Sequence, residues 1–382
     1  MKGFKNVKAY LPDVGVVTTN IGFENGKIVY IGDDASQIEA IAEVDGIVVP
    51  GFIDQHIHGA GGSDGMDGTE KDLQIISETV AREGTTAFLV TTMTQSPENI
   101  SKALVAVKEV MQKGEFAGAE AIGVHLEGPF ISPKHVGAQP LEYVAKPSVE
   151  IFDEYDRLSG GNIKIVTLAP EQEGGAELVE HLAKLGKVAS IGHTASKYAD
   201  VESAVKVGAK NVTHTYNAQT ALHHREVGVV GSAMLFDELN CELICDLIHL
   251  CAPAIRLVVK NKPHNKVTLI TDAMRAKGMP DGISELGGQT VIVKNGEARL
   301  EDGTLAGSVL KMNDAIKNVV TKVGVSFTDA IDFATKNPAE NIGVLNERGT
   351  IEVGKRADFA VLNDSFEVLQ TVVGGKIVYK NN

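Results

Sequence analysis

Short apolar runs and amphipathic stretches alternate along most of this chain. The apolar runs predict strands that are buried on both faces. In chain order these runs are Ile47–Ile53, Thr85–Val90, Ala121–Leu126, Ile163–Leu168, Val188–Ile191, Asn211–Thr213, Glu242–Cys245 and Val267–Thr271. The stretches between several of them have helical periodicity. They are Glu70–Arg82, Ile100–Gln112, Ala176–Lys184 and Ala199–Val207.

This alternation predicts an α/β fold, and specifically a (β/α)8 TIM-like barrel. Eight strand–helix units over about 250 residues match the usual size of such a barrel. A doubly wound parallel sheet would also alternate, but no G-x-G-x-x-G motif follows the first strand. A hairpin at Asn295-Gly296, within Thr290–Leu300, predicts an excursion after the eighth strand.

The two ends of the chain carry the same pentapeptide, Gly-Lys-Ile-Val-Tyr. It begins at Gly26 near the start and at Gly375 near the end. Each copy follows a tight-turn pair, Asn25-Gly26 or Gly374-Gly375, and leads into a β-branched and aromatic run. We therefore expect both termini to build one small β unit, with the larger domain inserted between them.

Composition narrows the class of protein. The 382 residues are 43% hydrophobic, with 36 Lys and Arg against 50 Asp and Glu, a formal net charge of −14. This acidic balance argues against nucleic acid or an anionic membrane as the main partner. The N-terminus lacks the apolar core of a signal peptide, and no apolar run could span a bilayer, so a cytoplasmic location is expected. Cys241, Cys245 and Cys251 are expected to be small buried hydrophobic residues.

Residues that can bind metals follow the predicted strands. His56 and His58 follow the first run, and side chains two apart on a strand share one face. Alone, this His-x-His fits a structural pair as well as half of a metal site. Further candidates follow later strands: Glu127, His193, His214 and Asp272. Asp272 alone could also be a helix N-cap, but the recurrence at strand ends favours one shared site.

Several motifs are more specific than this pattern. They are Pro50-Gly51-Phe52-Ile53-Asp54-Gln55-His56-Ile57-His58-Gly59, His125-Leu126-Glu127-Gly128-Pro129, Gly192-His193-Thr194, Thr213-His214-Thr215, Thr271-Asp272-Ala273-Met274, Asp302-Gly303-Thr304-Leu305-Ala306-Gly307-Ser308 and Gly354-Lys355-Arg356-Ala357-Asp358. On these motifs the chain resembles, over essentially its whole length, the N-acetylglucosamine-6-phosphate deacetylase family of the amidohydrolase superfamily.

The resemblance implies a metal-dependent (β/α)8 barrel at residues 50–343. Residues 1–49 and 344–382 would form a small β-sandwich domain from both termini. Glu127, His193 and His214 would hold the more buried metal, and His56 and His58 a second one, with Glu127 as a possible bridge. The cofactor would be one or two divalent metals per subunit, with Zn²⁺ preferred and Fe²⁺, Co²⁺ or Mn²⁺ as alternatives. Asp272 would act as general base and then general acid, and the enzyme would be a homodimer.

The implied reaction is hydrolysis of N-acetylglucosamine 6-phosphate to glucosamine 6-phosphate and acetate by metal-activated water. The residues implied on the substrate side are Asn217, Ala218, Arg225, His249, Gln139, Leu305, Ala306, Gly307 and Ser308. Two of these regions depart from the family pattern. Gln139 stands where many relatives carry a histidine that touches the sugar, and Leu247, near His249, replaces a usual glycine.

Three other functions stay open at this point. The first is deacetylation of the galactosamine epimer, which the metal residues cannot distinguish from the glucosamine reaction. The second is another amidohydrolase reaction on a cyclic amide, although those enzymes usually bridge their metals with a carbamylated lysine. The third belongs to a different class: a non-catalytic barrel that senses a sugar phosphate. Binding alone would need no base, so the presence of Asp272 argues against a sensor.

Overall fold

The structure is a computed structural model that describes residues 1–381. Its strands are β1 (Lys2–Leu11), β2 (Gly15–Glu24), β3 (Lys27–Gly32), β4 (Glu39–Ala40), β5 (Ile47–Pro50), β6 (Phe52–Ile57), β7 (Gly59–Ala60), β8 (Ser63–Asp64), β9 (Thr85–Thr91), β10 (Glu120–Glu127), β11 (Ile163–Leu168), β12 (Val188–Ile191), β13 (Asn211–Val212), β14 (Asn240–Ile244), β15 (Val267–Ile270), β16 (Gly282–Leu286), β17 (Gln289–Lys294), β18 (Glu297–Leu300), β19 (Phe359–Leu362), β20 (Val368–Val373) and β21 (Lys376–Lys380).

The helices mostly alternate with the middle group of strands. They are α1 (Glu70–Ala81), α2 (Pro97–Lys113), α3 (Val149–Leu158), α4 (Gly175–Lys184), α5 (Tyr198–Lys206), α6 (Gly228–Leu235), α7 (Ala252–Asn261), α8 (Met312–Asn318), α9 (Phe327–Ala334) and α10 (Lys336–Asn341). In the part of the chain described, no helix is both long and apolar enough to cross a membrane.

The predicted barrel is confirmed. Eight parallel strands are ordered β6-β9-β10-β11-β12-β13-β14-β15. The two outermost strands of this order meet at their carboxyl ends. There Asp272 N donates to His56 O at 2.9 Å, and His58 N donates to Ala273 O at 2.9 Å. This closure brings the residues after the first and eighth barrel strands side by side.

Local sequence explains these elements. Strands β12 and β15 are buried at every position, as expected of parallel strands covered on both faces. Helix α2 begins after the N-cap Ser96 with Pro97 in its first turn, and it ends at Gly114, whose φ is 66°. It turns one apolar face inward, which consists of Ile100, Ala103, Leu104, Val107 and Val110.

Both termini form one separate sheet, as expected. Its order is β21-β20-β19-β5-β1-β2-β3, with β4 paired to β1. The rings of Phe4, Phe23 and Phe359 pack in its core with centroids 5.5–6.1 Å apart. The two copies of the repeated pentapeptide form the opposite edge strands, β3 and β21. Their turns use left-handed glycines, with φ of 76° at both Gly26 and Gly375.

Two expectations need correction. The run Ile47–Ile53 is not one strand, because Gly51 separates β5 in the terminal sheet from β6 in the barrel. A Cβ at Gly51 would lie 2.2 Å from Thr86, so only glycine allows this close crossing. The division at residues 49/50 and 343/344 stays a prediction. Cys241 and Cys245 are buried, but Cys251 is exposed, so the expectation was wrong for that residue.

The predicted excursion after the eighth barrel strand is a small antiparallel sheet of β16, β17 and β18. Its second hairpin turns at Asn295 and Gly296, with φ of 55° and 82°. Leu286 at the end of β16 reaches the mouth of the barrel, where it lines the main pocket. The excursion therefore helps to cover the carboxyl ends of the barrel strands.

Candidate metal centre and active-site pocket

A pocket with a cavity volume of about 200 Å³ opens at the carboxyl ends of the barrel strands. Its lining residues are His58, Met93, Glu127, Gly137, Ala138, Gln139, His193, His214, Asn217, Ala218, His249, Asp272, Leu286, Thr304, Leu305 and Gly307. The polar side chains that the sequence placed at separate strand ends thus line one pocket.

Three of these residues have an unusual backbone conformation. Each lies two residues after the end of a barrel strand: His193 after β12, His214 after β13 and Asp272 after β15. Their φ angles are 47°, 27° and 48°. Left-handed backbone is uncommon for residues other than glycine and is concentrated at functional sites. The turn that ends each strand therefore sets the direction of each side chain.

Glu127, His193 and His214 form one compact group. The Oε1 atom of Glu127 lies 3.3 Å from His193 Nε2 and 3.1 Å from His214 Nε2. The two Nε2 atoms are 3.1 Å apart. His193 Nδ1 donates to the carbonyl of His135 at 2.9 Å, which leaves its Nε2 as the unprotonated atom in the neutral ring. This is the arrangement by which a backbone carbonyl orients a metal-binding histidine.

His56, His58 and Asp272 form a second group beside the first. Asp272 Oδ1 lies 3.3 Å from His56 Nε2 and 3.2 Å from His58 Nε2. Glu127 stands between the groups, because its Oε1 is 3.5 Å from His56 Nε2 and its Oε2 is 3.3 Å from His58 Nε2. All of these residues are buried.

The donor atoms suit a divalent metal. Nitrogen and carboxylate oxygen ligands are the usual set for zinc and neighbouring transition metals. Each group brings three such donors within 4.8 Å of one another. His56 Nε2, His58 Nδ1 and His214 Nδ1 are buried without a hydrogen-bond partner in the described chain. A buried polar atom without a partner is costly, and a cation would satisfy His56 Nε2.

Both carboxylates are held in their ionised form. Burial alone would raise the pKa of Asp272, but His56 and His58 hold that pKa below its ordinary value. Burial opposes ionisation of Glu127 as well, and His56, His193 and His214 lower its pKa well below the usual range. An ionised carboxylate can bind a cation, and an ionised Asp272 can accept a proton.

Comparison with known proteins agrees with this geometry. Residues 47–378 match the sequence model of the Amidohydrolase family. The chain belongs to the amidohydrolase family. Members of this superfamily are metal-dependent, and the two groups described above could hold an ion.

Three relatives illustrate the similarity. This amidohydrolase is 42% identical to N-acetylglucosamine-6-phosphate deacetylase of Bacillus subtilis (strain 168), over 97% of this chain and 96% of the relative. It is 35% identical to N-acetylgalactosamine-6-phosphate deacetylase of Escherichia coli O157:H7, over 87% of each chain. The solved structure of N-acetylglucosamine-6-phosphate deacetylase from Thermotoga maritima superposes with a TM-score of 0.90 at 35% identity, covering 99% of this chain and 100% of that one.

Most residues expected on the substrate side line the amidohydrolase pocket. They are Asn217, Ala218, His249, Gln139, Leu305 and Gly307. Ala306 and Ser308 are buried outside the lining, and Ser308 N donates to the Asp272 carbonyl at 2.8 Å. Arg225 is exposed, with its Nη1 atom 2.8 Å from His224 Nε2, and it does not line this pocket.

Gln139 contacts Glu127, which stands between the two candidate metal-binding groups. Its Oε1 accepts from Thr94 N at 2.7 Å, and its Nε2 donates to Glu127 Oε2 at 2.7 Å. Only 5% of Gln139 is exposed, so the amide is held between the backbone and the carboxylate. A residue expected to contact sugar therefore also orients Glu127.

Leu247 occupies the glycine position at a backbone φ of 67°. Such a conformation costs about 1–3 kcal/mol for a residue with a side chain. The turn is held by Asp246, whose Oδ1 accepts from the backbone N of Ile248 and of His249 at 2.8 Å each. Asp246 Oδ2 lies 2.6 Å from His249 Nδ1 and orients that ring at the pocket. Leu247 therefore strains the backbone at this turn, while Asp246 keeps the His249 ring oriented.

Sequence reasoning missed Glu242, which is fully buried in β14 and lies 3.2 Å from His56 Nδ1. It also missed Met93, Leu286 and Thr304, which line the pocket. A charged residue within the apolar run Glu242–Cys245 was the available signal for Glu242, because buried carboxylates need partners. The other three come from loops and the small sheet, whose positions have no local sequence signature.

Proposed function

We propose that this amidohydrolase hydrolyses N-acetylglucosamine 6-phosphate to glucosamine 6-phosphate and acetate. The observation that carries the proposal is the convergence of two nitrogen–carboxylate groups, one of which contains Asp272, on one pocket. The relative of this name from Bacillus subtilis, which matches nearly the whole chain, supports the same substrate.

We assign the metal-binding roles as follows. Glu127, His193 and His214 would hold one divalent ion, and His56 and His58 a second, with Glu127 shared between them. Zn²⁺ is the first choice for these donors, and Fe²⁺, Co²⁺ or Mn²⁺ also accept them. When bound, such an ion supplies Lewis acidity, which acidifies water and polarises an amide carbonyl.

Asp272 would move the proton in this reaction. Its carboxylate takes a proton from the attacking water while the water oxygen forms a bond to the acetyl carbon. The carbon–nitrogen bond then breaks, and Asp272 returns the proton to the departing amine nitrogen. The acetyl carbon keeps the new carbon–oxygen bond, and the acid gives its remaining proton to the product amine or to solvent and leaves as acetate, so Asp272 ends the cycle ionised, as it began.

The substrate would be held by the pocket wall. Asn217, Ala218 and His249 are proposed to bind the phosphate end, and Gln139 the sugar. Arg225 would add a bidentate guanidinium contact to the phosphate from the exposed loop that also carries His223 and His224. That contact could be made to the pocket of a partner subunit, because Arg225 does not line the pocket of its own chain.

The stretch Leu305–Ser308 is proposed to lie against the N-acetyl group, which is the end of the substrate nearest Asp272. Leu305 and Gly307 line the pocket beside Asp272, whereas Ala306 and Ser308 support them from behind. We further propose that the enzyme is a cytoplasmic homodimer.

The galactosamine epimer is the second candidate substrate, because one relative at 35% identity carries the corresponding name. Neither a cyclic amide nor a sensor function has a comparable observation in its favour. The decisive experiment begins with elemental analysis of protein purified without chelators. It then measures acetate release from both epimers, with and without the 6-phosphate.

We expect bound divalent metal and faster release from N-acetylglucosamine 6-phosphate. A faster reaction of the galactosamine epimer would favour the second candidate. Absence of acetate release by metal-loaded protein from either phosphorylated sugar would refute the proposed activity.

A further inference from the structure

Glu242 is a charged residue buried in the barrel beneath the pocket. It lies in β14, its exposure is 0%, and it does not line the pocket. A carboxylate in this position is costly unless several donors satisfy it. Its contacts therefore indicate why the barrel interior contains it.

Four donors surround this carboxylate. Its Oε1 accepts from Gln55 Nε2 at 2.6 Å and from Asn211 Nδ2 at 3.0 Å. Its Oε2 lies 3.2 Å from His56 Nδ1 and accepts from His214 N at 3.3 Å. Oε1 is thus held by two side-chain amides of the barrel interior. Oε2 contacts one residue from each of the two candidate metal-binding groups, His56 and His214.

This arrangement fixes the proton on the His56 ring. A carboxylate can only accept, so Nδ1 must carry the hydrogen, and in the neutral ring Nε2 keeps its lone pair. Nε2 faces Glu127 and Asp272 and has no hydrogen-bond partner in the described chain. A carboxylate that orients a metal-binding histidine in this way also raises its basicity as a ligand.

We propose that Glu242 is a positioning residue for the metal centre. It holds His56 in the tautomer and orientation that present Nε2 to a divalent ion, and its bond to His214 N links the two groups. This inference rests on the proposed metal-dependent function. Glu242 touches neither the pocket nor the substrate, so its effect must pass through His56 and His214.

The neighbouring His125 does not make this cluster a third metal site. His56, His125 and Glu242 do bring three donors together. Both ring nitrogens of His125 are already engaged, however, with Nδ1 3.1 Å from the carbonyl of Gln55 and Nε2 2.7 Å from Thr167 Oγ1. His125 therefore packs beside His56 as a structural residue, and the residue that Glu242 orients is His56.

The test is Glu242→Gln, which keeps the size of the side chain and removes its charge. Zn²⁺ and Co²⁺ would be titrated into metal-free protein, with stoichiometry by elemental analysis and the visible absorption of bound Co²⁺ as the spectroscopic signature. We expect the second equivalent to bind roughly 10–100-fold more weakly, as is typical when such an outer partner is lost. The Co²⁺ spectrum should also change.

Asp332→Asn provides the matched control for a purely structural effect. Asp332 is also a buried carboxylate, and it accepts from Tyr10 at 2.8 Å and lies 3.2 Å from His264 Nε2, outside both candidate metal-binding groups. This variant should lower the melting temperature without changing metal affinity or the Co²⁺ spectrum. Melting temperatures of all metal-free proteins are measured to confirm that Glu242→Gln is folded.

A double-mutant cycle identifies the route of the effect. In a His56→Asn background, where the second equivalent is already weakened or lost, Glu242→Gln should change the Co²⁺ spectrum far less than it does alone, because the two residues act as one unit. Equal effects in both backgrounds, or unchanged affinity and spectrum in the single variant, would overturn the role of Glu242. Failure of the unmutated protein to bind any divalent metal would instead refute the proposed function.

Discussion

Two buried charged side chains follow β15, Asp272 and Lys277. They differ in whether other residues of the chain supply all of their partners. Asp272 faces the pocket among His56, His58 and Glu127, where His56 Nε2 and His58 Nδ1 have no partner in the described chain. Five residues later, Lys277 is 1% exposed and its ammonium directly contacts the buried carboxylate of Glu83. The chain alone completes the Lys277–Glu83 pair, whereas beside Asp272 the buried His56 Nε2 faces two carboxylates and is free to bind an added cation.

The difference shows that burial of charge does not by itself identify a functional site. Burial raises the pKa of Glu83 to about 7, against the opposing attraction of Lys277. Asp272 is also buried, yet the histidines beside it lower the pKa of its carboxyl. The two groups differ in their partners. Glu83 contacts the single ammonium of Lys277, whereas Asp272 lies beside the imidazole nitrogens of His56 and His58.

The largest expected effect is on Asp272. Asp272→Asn keeps the size and hydrogen-bonding capacity of the side chain but removes the oxygen that accepts the proton. General acid–base groups contribute about 10²–10⁴-fold, and Asp272 acts in both directions, so kcat should fall toward the upper end of this range. The assay is acetate release from N-acetylglucosamine 6-phosphate at saturating metal.

Metal content and melting temperature must be measured on the same preparation, because Asp272 also belongs to the second donor group. A variant with full metal that keeps more than about a tenth of the original kcat would assign the general base to another residue. Loss of metal together with activity would leave Asp272 as a ligand and remove the basis for a separate proton-transfer role.

Lys277→Met tests the other side of the comparison. The substitution leaves Glu83 buried without its partner, which typically costs about 3–5 kcal/mol of the free energy of unfolding. Metal stoichiometry should not change, because Lys277 is in neither donor group. Chemical denaturation measures the loss, and the Lys277→Met/Glu83→Leu double variant should recover most of it. A stable single variant that loses metal would contradict the distinction between the two groups.

Much of the fold could be predicted because the hydrophobic pattern determines it locally. The runs at Ile163–Leu168 and Val188–Ile191 match their strands, since both are short and largely apolar segments. The division of Ile47–Ile53 could not be read from apolar pattern, because it depends on the close approach of Gly51 to Thr86. Long-range contacts of this kind leave no periodic signal.

The site was predictable in its residue types but not in its geometry. Positions at strand ends placed Glu127, His193, His214 and Asp272 in one region, because parallel strands share one carboxyl edge. The left-handed backbone at three of these residues could not be predicted, since histidine and aspartate adopt it only when the surrounding fold requires it. Glu242 was missed because its side-chain partners come from β6, from β13 and from the turn after β13.

Arg225→Ala extends the comparison to an exposed charge that does not line the pocket of its own chain. A charged hydrogen bond is commonly worth ~1.5–3 kcal/mol, so kcat/KM for the 6-phosphorylated sugar should fall roughly ten- to a hundredfold. The loss should appear mainly in KM, and the unphosphorylated sugar should be much less affected. Equal losses on both substrates would mean that Arg225 supports the loop and does not bind phosphate.

The smallest expected effect on turnover comes from His58→Asn. This variant tests the division of the pocket residues into two candidate metal-binding groups. His58 contacts Glu127 Oε2 and Asp272 Oδ1, but it is not part of the Glu127, His193 and His214 group. Removing it should therefore lower metal content toward one equivalent while activity remains measurable, because the first donor group is intact. Elemental analysis after dialysis against metal-free buffer gives the stoichiometry.

His193→Asn is the matched variant for this last comparison, because it removes a histidine from the first group. His193→Asn should lose the more tightly held equivalent of metal and nearly all activity. His58→Asn should keep that equivalent and measurable activity. Unchanged stoichiometry in His58→Asn would mean that His58 is not a ligand of a second metal. If the two variants instead lost metal and activity equally, Glu127 would be holding a single indivisible cluster, and the division into two groups would be wrong.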